Sequence, residues 1–234
     1  MKLPIEISPC PILEAIIEIR FIPSTHPNAV FGLIYNELKI DFPKVENLPI
    51  LQLPEPLRMS DPNFKFKPHY KISNNSFSVQ IGPDVLSISS LPKYSGWTKF
   101  SDVLFDIFTR VNKIQIIKNV TRIGIRYISF FQDDIFKKAN ISVCINQEKI
   151  EYKNTLVRTE ILNVGFSNSL QIANNVKNSN RLGSIIDIDT HKESGLDEFF
   201  VNMRELLNSG HSIEKELFFS LLSKDLLESL NPRF

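Results

Sequence analysis

A chain of 234 residues, 42% hydrophobic and 23% charged, has the composition of an ordinary globular protein, long enough for one large domain or two packed halves. Its formal charge of +1 gives no global field toward nucleic acid or an anionic membrane, and no run of about 18 apolar residues is present to cross a bilayer. Two cysteines, Cys10 and Cys144, are too few for a disulfide framework or a cysteine-ligated zinc site; Walker, GxSxG, HExxH and CxxC motifs are missing, so no cofactor is expected.

The opening MKLPIEISPCP carries no apolar signal-type core, which sets a cytoplasmic expectation. Over residues 13–22, Leu13, Ala15, Ile17, Ile19 and Phe21 alternate with Glu14, Ile16, Glu18, Arg20 and Ile22, the period of a strand with one apolar face. Val30, Phe31, Ile34, Tyr35 and Leu38 then recur at helical spacing, so a helix is predicted from Pro27 to about Ile40. Six prolines between positions 41 and 68 exclude a central strand or a long helix and leave a connector with apolar anchors.

Strands are predicted over 64–72 and 76–81, joined at Asn74-Asn75, and over 85–91 after Gly82-Pro83-Asp84. A helix over 97–113 carries Phe100, Val103, Leu104, Ile107, Phe108 and Val111 on one face. The longest apolar strand, 120–131, contains TRIGIRYISFF. A short strand over 141–145 follows, then a hairpin of 156–166 and 169–176 turning around Asn168, then a strand over 183–191. Helices are predicted over 195–207 and 212–230, divided near Ser209-Gly210, with Ser212 as N-cap.

Each half thus reads strand, insertion, three strands, helix. Arg20 in IIEIRFI aligns with Arg126 in GIRYI, and FSVQI (77–81) occupies the place of SLQIA (169–173). The expected fold is α+β, two similar halves at 1–118 and 119–234 forming a curled antiparallel sheet, or two sheets, covered by helices. An internal duplication accounts for the match.

SPCPILEAIIEIRF, YSGWTKF, RIGIRYISFF, IIDIDTH and the late His211 before Phe218-Phe219 occur in an order that resembles a sporadically distributed bacterial protein family of similar length with no assigned reaction. The resemblance spans nearly the whole chain. It implies a shared fold and a bacterial or phage-linked origin; Gly210 stands where the family has Leu before the late His.

Asp187, Asp189 and His191 alternate with Ile186, Ile188 and Thr190, which points all three polar groups to one strand face about 7 Å apart. They form either a divalent-metal site of a phosphoester or nucleotide hydrolase, or simply a polar outer face. Arg20 and Arg126 lie mid-strand, where a guanidinium needs a partner: an anionic ligand such as phosphate or carboxylate, or an ion pair with Glu18 or Glu14 for Arg20 and with Glu160 or an Asp for Arg126. Trp97 and Tyr94 form either an aromatic platform or a plug for the core. Phe218 and Leu222 belong to an apolar stripe on the C-terminal helix that serves the core or a docking surface. The first expectation is a binding or interaction protein, an accessory of a bacterial defence or toxin–antitoxin-like system, with a protein partner or a second copy held through the C-terminal helix. The alternative is the metal-dependent hydrolase.

Overall fold

The computed structural model describes residues 3–90, 92–149 and 153–234. The first half of the chain supplies β1 (Ile12–Pro23), α1 (Val30–Leu38), β2 (Lys44–Asn47), α2 (Glu55–Ser60), β3 (Tyr70–Ser73), β4 (Phe77–Ile81), β5 (Val85–Ser90) and α3 (Trp97–Lys113). The second half supplies β6 (Ile117–Phe131), α4 (Ile135–Lys138), β7 (Cys144–Ile145), β8 (Glu148–Lys149), β9 (Leu156–Asn163), β10 (Phe166–Asn178), β11 (Arg181–Lys192), α5 (Phe199–Leu221) and α6 (Lys224–Ser229). Nine strands form one sheet in the order β2-β3-β4-β5-β1-β6-β11-β10-β9, and β7 and β8 form a small ladder of their own. The fold is α+β, and the order strand, insertion, three strands, helix occurs twice.

The chain makes two compact units from interleaved segments. One combines Met1–Leu13, Arg126–His191 and Asn208–Phe234; the other combines Glu14–Ile125 and Lys192–Leu207. The change of unit falls within β6 and within α5, whereas the halves read from the sequence meet at 118/119.

In the unit that starts at Glu14, the alternation of β1 is realised from Glu14 to Phe21, whereas Leu13, expected on the apolar face, is exposed. Ala15, Ile17, Ile19 and Phe21 are buried, while Glu14, Ile16, Glu18 and Arg20 are half-exposed. β1 runs antiparallel to β5 with Ile17 opposite Ile88 and Ile19 opposite Leu86, so both strands present aliphatic groups to one face. Val30, Ile34 and Leu38 of α1 are buried at four-residue spacing, and Phe100, Leu104, Ile107, Phe108 and Val111 of α3 are buried at spacings of three and four. Phe199 at the start of α5 sets its ring edge-on to Phe108 at 5.7 Å. The β3–β4 turn is held by Asn74, whose Oδ1 accepts from the backbone N–H groups of Ser76 and Phe77.

Two expectations change in detail here. The proline-rich connector holds no long helix or central strand, but it does form the four-residue β2 and the short α2, because proline is tolerated in the first turn of a helix. The strand expected from residue 64 begins only at Tyr70, after a 3₁₀ turn at Pro62–Phe64 and the restriction imposed by Pro68. Leu91, the end of the next predicted strand, lies outside the described residues.

In the other unit, Phe131, Leu170, Ile172, Ile186 and Ile188 from the strands pack with Phe218 and Leu221 of α5, with Leu222 just past its end, and with Leu226 and Leu230 nearer the C-terminus. Two corrections belong to this unit. α5 runs unbroken through Ser209-Gly210: the apolar stripe continues across the glycine, which costs only about 1 kcal/mol in a helix interior. Ser212 therefore lies mid-helix, and the cap is Ser223, whose hydroxyl accepts from Leu226 N–H at the start of α6. The hairpin of β9 and β10 turns at Val164-Gly165, with φ of +27° and +78°, and not around Asn168. Asn168 is buried inside β10, where its Oδ1 accepts from Thr190 Oγ1 at 2.6 Å and its Nδ2 donates to the Ile161 carbonyl at 3.3 Å.

Candidate functional site

The strand arginines are tied down by carboxylates of the chain itself. Arg20 donates from Nε to Glu18 Oε1 at 2.8 Å and places its guanidinium 4.8 Å above the Phe66 ring. Arg126 makes a bidentate pair with Asp187: Nε to Oδ1 at 2.8 Å and Nη2 to Oδ2 at 2.7 Å. The planar fork of the guanidinium thus occupies both oxygens of the aspartate. Each arginine serves a local ion pair, with Glu18 the partner read for Arg20 and Asp187 the one taken by Arg126.

A third arginine, Arg122, is not singled out by the sequence pattern, although it is the most enclosed of the three. Its Nη1 lies 3.2 Å from Glu18 Oε1 and its Nε 3.5 Å from Glu193 Oε1. A signal for it does exist: in TRIGIRY, period two puts residues 122, 124 and 126 on the face opposite Ile123, Ile125 and Tyr127. Glu18 therefore bridges Arg20 and Arg122, which is how a buried guanidinium is normally stabilised.

Asp187, Asp189 and His191 share one face of β11, as the alternation requires, but no group of three His, Cys, Asp or Glu side chains placed to hold a metal ion occurs among the described residues. Asp187 is occupied by Arg126, and His191 Nδ1 lies 3.2 Å from the Asp189 backbone oxygen. The pleat carries the three groups along one strand and does not fold them onto a common centre.

Tyr94 and Trp97 both set their rings edge-on to the fully buried Phe100, at 6.3 and 6.4 Å, so the cluster closes one end of α3. Phe218 and Leu222, expected at a docking surface, are only 7% and 4% exposed. They face Phe131, Leu170 and Ile188 in the core of their own unit, because the strands beside them present an aliphatic face that requires cover.

Further along α5, Tyr127 Oη and His211 Nδ1 lie 3.1 Å apart, a bond the phenol donates when Nδ1 carries no proton. Burial first, and Lys215 second, lower the His211 pKa to about 4; burial raises Glu214 to about 8, with Lys215 opposing. Both side chains are neutral at pH 7. In the same unit a cavity of about 460 Å³ is lined by Cys10, Phe130, Asp133, Lys138, Arg181 and Leu230. Lys138 pairs with Asp133 at 2.6 Å, and desolvation pushes the Cys10 thiol up, away from thiolate reactivity.

The remaining feature is the edge strand β9, Leu-Val-Arg-Thr-Glu-Ile-Leu-Asn, which ends the sheet order with β10 on one side. Leu156 is 63% exposed, Leu162 83% and Ile161 37%; Arg158, Thr159 and Glu160 are exposed between them. Asn163 and Phe166 flank the two-residue turn and are paired, so Asn163, Ile161, Thr159 and Val157 direct their peptide groups at β10. By alternation Leu156, Arg158, Glu160 and Leu162 direct theirs away from the sheet. A long edge with outward peptide groups and large exposed aliphatics is a template for another strand.

No protein-family model matches the chain. No curated protein matches it either.

Proposed function

We propose that the protein is a binding protein whose working surface is the edge strand β9, which captures a protein strand by extending the sheet. The observation that carries this reading is the exposure of Leu156, Ile161 and Leu162 on an eight-residue edge whose outward peptide groups point away from β10. The ion pairs that engage Arg20, Arg126 and Asp187 support it, since they give those side chains a structural use. The docking role expected of the C-terminal helix passes to β9, because Phe218 and Leu222 serve the core. A binding protein of this kind suits the expected accessory role in a bacterial defence or toxin–antitoxin-like system; the family resemblance itself implies a bacterial or phage-linked origin.

The test is a photo-crosslinking residue at position 162 in the full chain, expressed in cells. A protein adduct is expected, and Glu160→Pro should abolish it, because proline removes an outward N–H while an edge strand tolerates it. Thermal melting of the Glu160→Pro variant should stay within a few degrees of the parent. Absence of an adduct, or an adduct that survives Glu160→Pro, defeats the reading.

A further inference from the structure

The occupant of the β9 edge is written in its sequence. Leu156-Val157-Arg158-Thr159-Glu160-Ile161-Leu162 is a mirror about Thr159 in which aliphatic residues match aliphatic residues and an arginine matches a glutamate. We infer that β9 pairs antiparallel with β9 of a second copy of this chain, on a two-fold axis through Thr159. This rests on the reading of β9 as a binding edge and names its partner.

An isologous contact requires that residue i meet residue j while j meets i. Centred on Thr159, that rule sets Arg158 opposite the partner's Glu160 and Glu160 opposite the partner's Arg158, with Leu156 against Leu162, Val157 against Ile161, and Thr159 against itself. The peptide geometry agrees. The outward peptide groups are those of residues 156, 158, 160 and 162, so each charged pair and each leucine pair exchanges backbone hydrogen bonds, and the axis passes through the non-bonded Thr159 pair. Side-chain faces agree as well. Arg158, Glu160 and the two leucines stand on one face; Val157, Thr159 and Ile161 stand on the other, where Val157 and Ile172 are opposite each other across the β9–β10 ladder.

The neighbouring two-fold registers fail on charge. Centring on Arg158 sets arginine against arginine, and centring on Glu160 sets glutamate against glutamate; like charges directly opposite destabilise a strand pair. A shift by one residue mismatches both the faces and the outward peptide groups. The strand therefore favours one register with its own copy and disfavours the nearest alternatives.

Sedimentation equilibrium on the full chain tests this. The wild type should self-associate as a dimer. Arg158→Glu and Glu160→Arg should each raise the dimer dissociation constant about a hundredfold, since each converts two attractive cross-strand pairs into repulsive ones. The double variant Arg158→Glu/Glu160→Arg should regain the dimer to within about threefold. An equimolar mixture of the two single variants should form a heterodimer, because positions 158 and 160 are then both acidic in one chain and both basic in the other. All variants should melt as the wild type does when diluted to monomer, since both side chains are exposed there. A dimer indifferent to the single charge reversals, or one the double variant does not rescue, overturns the inference together with the β9 reading of that dimer. A chain that stays monomeric at every concentration while position 162 still crosslinks to a different protein overturns the second-copy inference alone. A monomer with no adduct at position 162 overturns both.

Discussion

The sheet has two edges, and they are built on opposite principles. β2 is four residues long, begins after Pro43, ends before Pro49, and carries Lys44 and Glu46. Glu46 is drawn to Lys71 on the neighbouring strand at 3.5 Å, and Lys44 reaches Asn75 at 3.5 Å. Short length, flanking prolines and charge are the devices by which proteins keep an edge from recruiting other strands. β9 lacks the first two: it is eight residues long, without proline, and sets Leu156 and Leu162 in solvent on either side of its one arginine and one glutamate. Among the described residues the chain blunts one edge and leaves the other open, and that asymmetry is what motivates the proposed role of β9. That contrast, more than any residue cluster, supports the proposal of β9 as a binding edge.

The comparison can be broken most strongly by unbalancing the unit that carries β9. Glu214 is buried on α5 with a folded pKa of about 8, above its ordinary 4.5, so the native chain holds a proton that the unfolded chain has lost. Its favourable contribution is complete below pH 4.5 and is lost as pH rises through 8. His211, lowered to about 4 from 6.5, acts in the opposite sense: its contribution is complete above 6.5 and is lost as pH falls through 4. Between 4.5 and 6.5 the two slopes oppose; above 6.5 only that of Glu214 remains, at up to about 1.4 kcal/mol per pH unit. Glu214→Gln should flatten stability between pH 6.5 and 8 and exceed the wild type at pH 8 by on the order of 3 kcal/mol in urea unfolding. A variant whose pH profile parallels the wild type would show that the buried acid does not set it.

The next effect concerns how each edge is anchored. Beyond the backbone ladders that hold both strands, β2 adds the side-chain contacts of Lys44 and Glu46, while β9 adds Asn168 of β10, which bridges the Ile161 carbonyl and the fully buried Thr190 hydroxyl. Asn168→Ala leaves the Thr190 hydroxyl without its acceptor and should cost about 2 kcal/mol. Amide exchange should rise first in β9, where the anchor was lost. Uniform exchange across the unit would mean that Asn168 acts on the whole core and not on the edge.

Asn168 also marks where the sequence misleads. Long periodic elements were legible because their signal is repeated: β1, α3 and β6 match the alternation and the helical stripe that announce them. The β3–β4 turn was legible because Asn74-Asn75 is turn chemistry and acts as such. The β9–β10 turn was misplaced because an asparagine stood mid-strand as a buried bridge, while the real turn used a valine at φ +27°. Arg122 and the self-matching pattern of β9 were both present in the letters. They acquire meaning only from depth in the fold and position at an edge, which the letters do not carry. Val164 offers its own test: it is exposed and β-branched at positive φ, so Val164→Asn creates the favoured Asn-Gly turn without losing packing. It should stabilise the chain by about 1 kcal/mol and leave the constant of the proposed dimer unchanged.

The smallest effect sharpens the contrast at the protected edge. If charge alone blunted β2, removing it would open that edge to association. Glu46→Gln deletes the contact with Lys71, an exposed pair at 3.5 Å, and should change stability by less than about 0.5 kcal/mol. It should also leave sedimentation unchanged, because four residues between prolines offer too few outward peptide groups to hold another strand. A Glu46→Gln chain that assembles beyond the proposed dimer would move the protection of β2 from its length to its charge, and would make the length of β9 insufficient grounds for proposing that edge as the binding one.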